Sequence, residues 1–275
     1  MTDMEGVAGV INFKDWVEPQ GRYYDLGKML LTEEVNAAIR GLFDAGADEV
    51  VVIDGHGYGG INPILLDRRA LYSRDWGRYH VYGLDDNFDA MIWIGQHAKA
   101  GTVQAHLAHT GMCDVYERRL NGISVGEYGE DGAVAGYFGT PTIFASGDRA
   151  FVAEAKALTP WVHAVEVKYG VTLDNGANCT TEEYEVHNLG AVHVHPEVAR
   201  ERIYKGAKAA LEDFTANREK FKPFCPKPPY VFEQWIRKIG DKPAFKVVQR
   251  HDTDLIELFS APVERYEEGT YELPY

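Results

Sequence analysis

Four short stretches of this chain end in residues of the types that hold metal ions. Asp3-Met4-Glu5-Gly6 sets two carboxylates one residue apart. In an extended segment the period of two puts Asp3 and Glu5 on the same side, and two anions on one face must be solvated, share a proton or hold a cation. His56 stands in Asp54-Gly55-His56-Gly57, His97 in Gly95-Gln96-His97-Ala98, and Glu127 in Val125-Gly126-Glu127. Three carboxylates and two imidazoles without a thiolate suit a pair of divalent ions such as Zn, Mn or Co. Five side chains give each of two ions three protein ligands only if one carboxylate bridges, and Asp3, short and first in line, is the candidate. Between His97 and Glu127 the chain from Lys99 to Thr110 is small and polar, carries His106 and His109, and reads as an active-site loop.

Taken singly, each of these residues has a plainer reading, because a histidine after a strand is commonly a hydrogen-bonded core or rim residue. The elements around them are what bring them together. Thr32 opens the clearest helical pattern, with Val35, Ala38, Ile39, Leu42 and Phe43 on one face, Glu33 and Glu34 at the positive end and Gly46 as the stop. The run Glu49 to Ile53 behind it reads as a buried parallel strand, and Ala90 to Ile94 as another. Val115 to Leu120 and Ile123 to Val125 flank Asn121-Gly122, a strong hairpin signal. A small-residue helix is expected from about Asp131 to Phe138, then strands at 142–145 and 162–167 with a short helix capped by Asp148 between them. Pro196 opens a long helix with Ala199, Ile203, Gly206, Ala207, Ala210 and Phe214 on one stripe. Strands are expected at Tyr230 to Ile236 and Ala244 to Gln249, and a last helix near Asp254 to Ser260. Residues 7–31 read as a lid-like loop, and 170–195 show little beyond the alternation of His193-Val194-His195.

This strand and helix alternation predicts an α/β protein of three layers, α/β/α, around a mostly parallel sheet with room for two lobes. Residues 1–275 are expected to form a single unit, of which 1–145 carry the site and 146–275 complete the fold and supply subunit contacts. In open α/β sheets ligands bind at the carboxyl ends of the strands, which is where each candidate ligand falls.

With 275 residues and an apolar fraction of 45%, the chain can bury a substantial core. A formal charge of -14 and a pI near 5.1, with no cluster of Lys and Arg, argue against a nucleic-acid partner. No apolar run approaches the ~20 residues that cross a bilayer and no leader pattern is visible, so a cytoplasmic protein without a membrane partner is expected. Cys113, Cys179 and Cys225 lie far apart without a C-x-x-C, which supports neither a disulfide framework nor a thiolate zinc site. His193 and His195 lack an acidic or thiol companion at a ligating spacing, Cys179 lacks a nucleophile signature, and Gly57-Tyr58-Gly59-Gly60 lacks the Lys-Ser/Thr ending of a phosphate loop. The aromatic tail from Tyr266 to Tyr275 reads as subunit-contact material.

Asp3-Met4-Glu5-Gly6, Asp54-Gly55-His56-Gly57, Gly95-Gln96-His97-Ala98, Ala108-His109-Thr110 and Val125-Gly126-Glu127 occur in an order and spacing that resemble the DppA-type D-aminopeptidases. Those are dinuclear zinc peptidases that remove D-residues, typically D-alanine, from the amino end of short peptides. The resemblance implies that Asp3, Glu5, His56, His97 and Glu127 bind two zinc ions per subunit with Asp3 bridging. Glu5 and His97 would complete one ion, and His56 and Glu127 the other. It also implies that His109, whose Ala-His-Thr context matches where that of His106 does not, is the catalytic histidine, and that the subunits form a homo-oligomer, a decameric ring around a chamber. Only Met1 and Thr2 precede Asp3 here, so either the first strand is cut short, which would leave Asp3 frayed, or the numbering begins at an internal methionine. Gly55 and Gln96 depart from the family's residues at positions lining the site, so substrate preference is the open point. The rivals are a dinuclear amidase or esterase acting on a non-peptide substrate and a non-catalytic metal-binding assembly subunit.

Overall fold

Thr2 joins what would otherwise be two separate sheets. The computed structural model describes residues 1–74 and 83–272, and Thr2 forms parallel bridges to Asp54 on one side and Ile94 on the other. The Thr2 N–H donates to Ile53 O, and the Asp3 N–H to Ile94 O at 2.9 Å. The first half of the chain contains a π-helix at Phe13–Val17, α1 (Tyr24–Asp44), β1 (Val51–Ile53), β2 (Leu71–Ser73), β3 (Met91–Gln96), β4 (Val115–Leu120), β5 (Ile123–Ser124) and α2 (Glu127–Tyr137). The second half contains β6 (Thr142–Asp148), α3 (Arg149–Leu158), β7 (His163–Gly170), α4 (Thr181–Tyr184), β8 (Ala191–His193), α5 (Pro196–Ala216), β9 (Tyr230–Ile236), β10 (Phe245–His251), α6 (Leu255–Leu258) and β11 (Glu264–Glu267).

The pairs β1 with β2, β3 with β6 and β6 with β7 are parallel, and β8 closes the edge antiparallel to β7. A second sheet, in the order β11-β10-β9-β4-β5, is antiparallel throughout. The fold is therefore mixed α/β, and the expectation of one mostly parallel sheet holds only for the part that carries Asp3, His56 and His97. The hairpin at Asn121-Gly122, with φ of 51° and 77°, starts the antiparallel sheet: φ > 0 at both turn residues matches the twist of the flanking strands.

Alternation along β3 sends Ile92 and Ile94 to one side, against α1 and α5, and Met91 and Trp93 to the other, against α2 and α3. On the first side Leu31, Val35, Ile39 and Leu42 meet Ile203, Ala207, Ala210 and Phe214. On the second, Tyr128 packs on Trp93 and Phe151 on Tyr128. Each such fully buried large side chain contributes about 1.5–3 kcal/mol. Helix α2 also packs on the antiparallel sheet through Ala133 and Val134, beside Leu120, Phe232 and Leu255, so its first residue, Glu127, is fixed between the two sheets.

Helix α1 starts at Tyr24, well before the expected Thr32. Thr32 is mid-helix, its hydroxyl donating to Lys28 O at 2.7 Å and accepting from Asn62 N–H at 2.9 Å. Likewise α2 begins at Glu127 rather than near Asp131. Among the described residues no helix is long and apolar enough to cross a membrane. Residues 273–275 of the aromatic tail lie outside the described residues.

Candidate metal centre

Glycines let the backbone segments of the site approach one another. Gly95 has φ +79°, and a Cβ there would stand 2.1 Å from Asp3 O; a Cβ on Gly6 would stand 2.1 Å from Gln96 O. The register of β3 against β6 shifts between Ile94 and Gln96, and such a bulge re-aims the side chains beyond it. His56 is presented by a loop wound on Asp54, whose carboxylate accepts from Gly60 N–H at 2.8 Å, Ile61 N–H at 3.2 Å and Tyr72 O–H at 3.1 Å. Asp3, expected to fray, is buried and held by its backbone in the sheet, and its Oδ1 accepts from Met4 N–H at 2.9 Å.

Around this frame the donors converge. His56 Nδ1 is 3.3 Å from Asp3 Oδ1 and 3.3 Å from Glu5 Oε2. His97 Nε2 is 3.2 Å from Asp3 Oδ2 and 3.4 Å from Glu127 Oε2, and His109 Nε2 is 3.9 Å from Glu127 Oε1. Two groups result, Asp3 with Glu5 and His56, and His97 with His109 and Glu127. One oxygen of Asp3 faces each group. A tetrahedron with bonds of about 2.0 Å to the metal has edges of about 3.3 Å, which is the spacing of these atoms.

The tautomers complete the fit. His56 Nε2 donates to Val17 O at 3.1 Å, His97 Nδ1 to Ala98 O at 2.9 Å and His109 Nδ1 to Leu107 O at 2.9 Å. Each imidazole thus has one nitrogen pinned to a backbone carbonyl and turns the other toward the carboxylates, the arrangement that orients histidine ligands. Among the described residues, the buried Asp3 Oδ2, Glu5 Oε2 and His97 Nε2 have no hydrogen-bond partner, and such groups are costly unless a cation satisfies them. The donor set fits a divalent metal, zinc included.

Electrostatics say the same. Burial disfavours charge on His56 and His97, yet Glu5 and Asp3 hold His56, and Glu127 and Asp3 hold His97, well above the ordinary imidazole range. Burial raises Glu127 and Asp3, but the charge on His97 outweighs it, bringing Glu127 down to about 2 and Asp3 well below the usual carboxylate range. The pocket demands positive charge. His109 differs: burial, then the charge on His97, lowers its pKa.

All six residues singled out in the sequence, Asp3, Glu5, His56, His97, Glu127 and His109, come together. Their pairing differs from the expectation: Glu5 lies with His56, and Glu127 with His97. His109 also stands within the donor set, its ring stacked on His97 with centroids 3.9 Å apart. His106 does not join; its Nε2 donates to Ile11 O at 3.0 Å. His193 Nδ1 accepts from Gly9 N–H and His195 caps α5, so neither is a ligand here. Cys179 is a thiol pushed up by burial, away from the cluster.

The site opens into a cavity of about 750 Å³. One wall is the π-helix, which sequence reasoning read as loop; its signal was Asn12, whose side chain accepts from Asp15 N–H at 2.7 Å as an N-cap. Phe13 from that wall meets His109 edge-on at 5.3 Å, and Val17 supplies the carbonyl that orients His56.

Fold and site together define an α/β protein with a buried cluster of metal-ligand side chains and a carboxylate shared between two donor groups. The chain belongs to the Peptidase M55 family, D-aminopeptidase, whose model matches residues 1–249. It is similar to the D-aminopeptidase of Bacillus subtilis (strain 168), 33% identical over 175 residues, which is 62% of this chain and 62% of that one. The match thus spans less than two thirds of that relative's length. Among solved structures it is similar to the Zn-dependent D-aminopeptidase DppA from Bacillus subtilis, a self-compartmentalizing protease, with a TM-score of 0.78 and 25% identity over 94% of this chain and 92% of that chain.

Proposed function

We propose that this chain is a zinc-dependent D-aminopeptidase that holds two zinc ions per subunit and removes the amino-terminal D-residue, such as D-alanine, from short peptides. The observation that carries the reading is the Asp3 carboxylate, with one oxygen toward Glu5 and His56 and the other toward His97 and Glu127. Ions held there would supply Lewis acidity, acidifying a water and polarising the scissile carbonyl. In this reading Asp3 bridges, Glu5 and His56 complete one ion, and His97 and Glu127 complete the other.

His109 is assigned the proton traffic. Its Nδ1 is committed to Leu107 O, its Nε2 faces the centre, and its lowered pKa leaves that nitrogen free to accept a proton and return it to the leaving amine. Asp15, Glu18 and Glu185 on the cavity wall favour the ammonium end of a peptide over an acylated one. The bounded cavity favours short substrates.

A homo-oligomer, and more specifically a decameric ring, belongs to the same reading. Apolar side chains at both edges of the parallel-rich sheet support assembly, with Leu71 on β2 53% exposed and Val192 on β8 47% exposed. The unpaired Cys113, Cys179 and Cys225 fit the reducing cytoplasm.

The test is a panel of D-Ala-D-Ala, L-Ala-L-Ala and N-acetylated D-Ala-D-Ala with zinc-loaded protein. Cleavage of the first alone supports the assignment. Cleavage that ignores the free amine would favour a general amidase, and no cleavage by fully loaded protein would favour a non-catalytic subunit.

A further inference from the structure

We infer that Gln96 is a positioning residue for the metal centre, holding the Glu127 carboxylate in the orientation that faces His97. The inference rests on the two-zinc reading and deepens it. In a regular strand residues 96 and 97 would point to opposite faces. The left-handed Gly95 and the register shift beside it break the alternation, so both side chains reach the same atom: Gln96 Nε2 donates to Glu127 Oε2 at 3.0 Å, and His97 Nε2 is 3.4 Å from that oxygen. A carboxylate only accepts, which fixes which way the Gln96 amide is turned. The other oxygen, Oε1, accepts from Gly111 N–H at 2.8 Å.

Gln96 and Gly111 thus anchor one Glu127 oxygen each from outside the donor cluster, and His97 faces Oε2 from within it. Such tethering matters more for Glu127 than for the other two acids. Its side chain is 23% exposed against 9% for Asp3 and 5% for Glu5, so packing restrains it least. The terminal torsion of a glutamate is broad, and loss of Gln96 removes one of the donors that restrict it. Gln96 itself is 2% exposed and well placed to act as a fixed donor.

The experiment titrates metal-free wild type, Gln96→Leu and Gln96→Met with zinc against a chromogenic chelator, with melting temperatures of the metal-free proteins measured alongside. Positioning predicts that one of two zinc ions binds about 10–100-fold more weakly in both variants, while the other keeps its wild-type affinity and the metal-free melting temperature is unchanged. Two ions bound at wild-type affinity in the variants would overturn the inference. So would a joint weakening of both ions with a lower metal-free melting temperature, the mark of a general structural role. Wild-type protein that takes up no zinc would overturn the two-zinc reading and, with it, this inference.

Discussion

Replacing Asp3 by Asn should remove both metal ions, whereas Glu5→Gln should remove one. Asp3 Oδ1 lies 3.3 Å from His56 Nδ1, and Oδ2 lies 3.2 Å from His97 Nε2. Asparagine keeps the shape and an oxygen for the Met4 N–H, but loses the charge and puts an amide N–H₂, which is no ligand, in place of the second oxygen. An ion at about 1,000 times its Kd stabilises the fold by about 4 kcal/mol, and two by about 8 kcal/mol. For chains of about 150–250 residues, a little shorter than this one, 1 kcal/mol moves the melting temperature by about 2–4 °C. Wild-type protein should therefore melt roughly 15–30 °C higher in zinc than in chelator. Glu5→Gln should keep about half of that shift, and Asp3→Asn almost none. Circular-dichroism melts of the three proteins in EDTA and in zinc give the answer. A full shift in Asp3→Asn, or equal shifts in the two variants, would refute the shared-carboxylate account.

Three further outcomes follow from the same geometry. His109→Ala, reloaded with zinc, should keep its metal while kcat falls by about 10²–10⁴-fold; loss of an ion instead would make His109 a ligand. Burial lifts the Glu34 carboxyl from 4.5 to about 7, so the folded chain holds that proton more tightly than the unfolded one, and the resulting stability is lost as pH rises through about 7. Glu34→Gln should accordingly match wild type at pH 5 and be more stable at pH 8, by up to about 3 kcal/mol; urea titrations at the two pH values check the sign, and a gain larger at pH 5 contradicts it. Gly95→Ala must place a methyl against Asp3 O at a left-handed φ; it should cost at least about 1–2 kcal/mol and abolish zinc uptake, and a variant that still loads zinc normally would show that the close approach of residues 3 and 95 is dispensable.

The cluster of donors was legible in the sequence because each donor sits in a short local pattern, His56 and His97 just past apolar strand runs, and Asn121-Gly122, Asp148 and Pro196 announced their turn and helix starts. The start of α1 was not, since Tyr23 caps it without a side-chain hydrogen bond, while Thr32 offers the hydroxyl that normally marks a helix beginning. Glu127 read as a residue past the hairpin for a similar reason: its helix is capped by Gly126, which has no side chain to show. Which acid stands beside which histidine depends on how the 55–61 loop winds on Asp54 and on the bulge at Gly95, and neither carries a periodic signal. The antiparallel sheet was hidden because its two parts meet where β4 pairs with β9 across more than a hundred residues, beyond the reach of any local rule. Asp3 looked exposed to fraying because strand pairing on both sides of Thr2 is a tertiary property.

Diffraction from zinc-loaded crystals, with anomalous data collected at the zinc edge, tests the central claim most directly. The account predicts two peaks per subunit flanking the Asp3 carboxylate, one about 2.0–2.2 Å from Glu5 and His56 donors and the other at the same range from His97 and Glu127. A single peak, or peaks that leave Asp3 bound to one ion only, would contradict it.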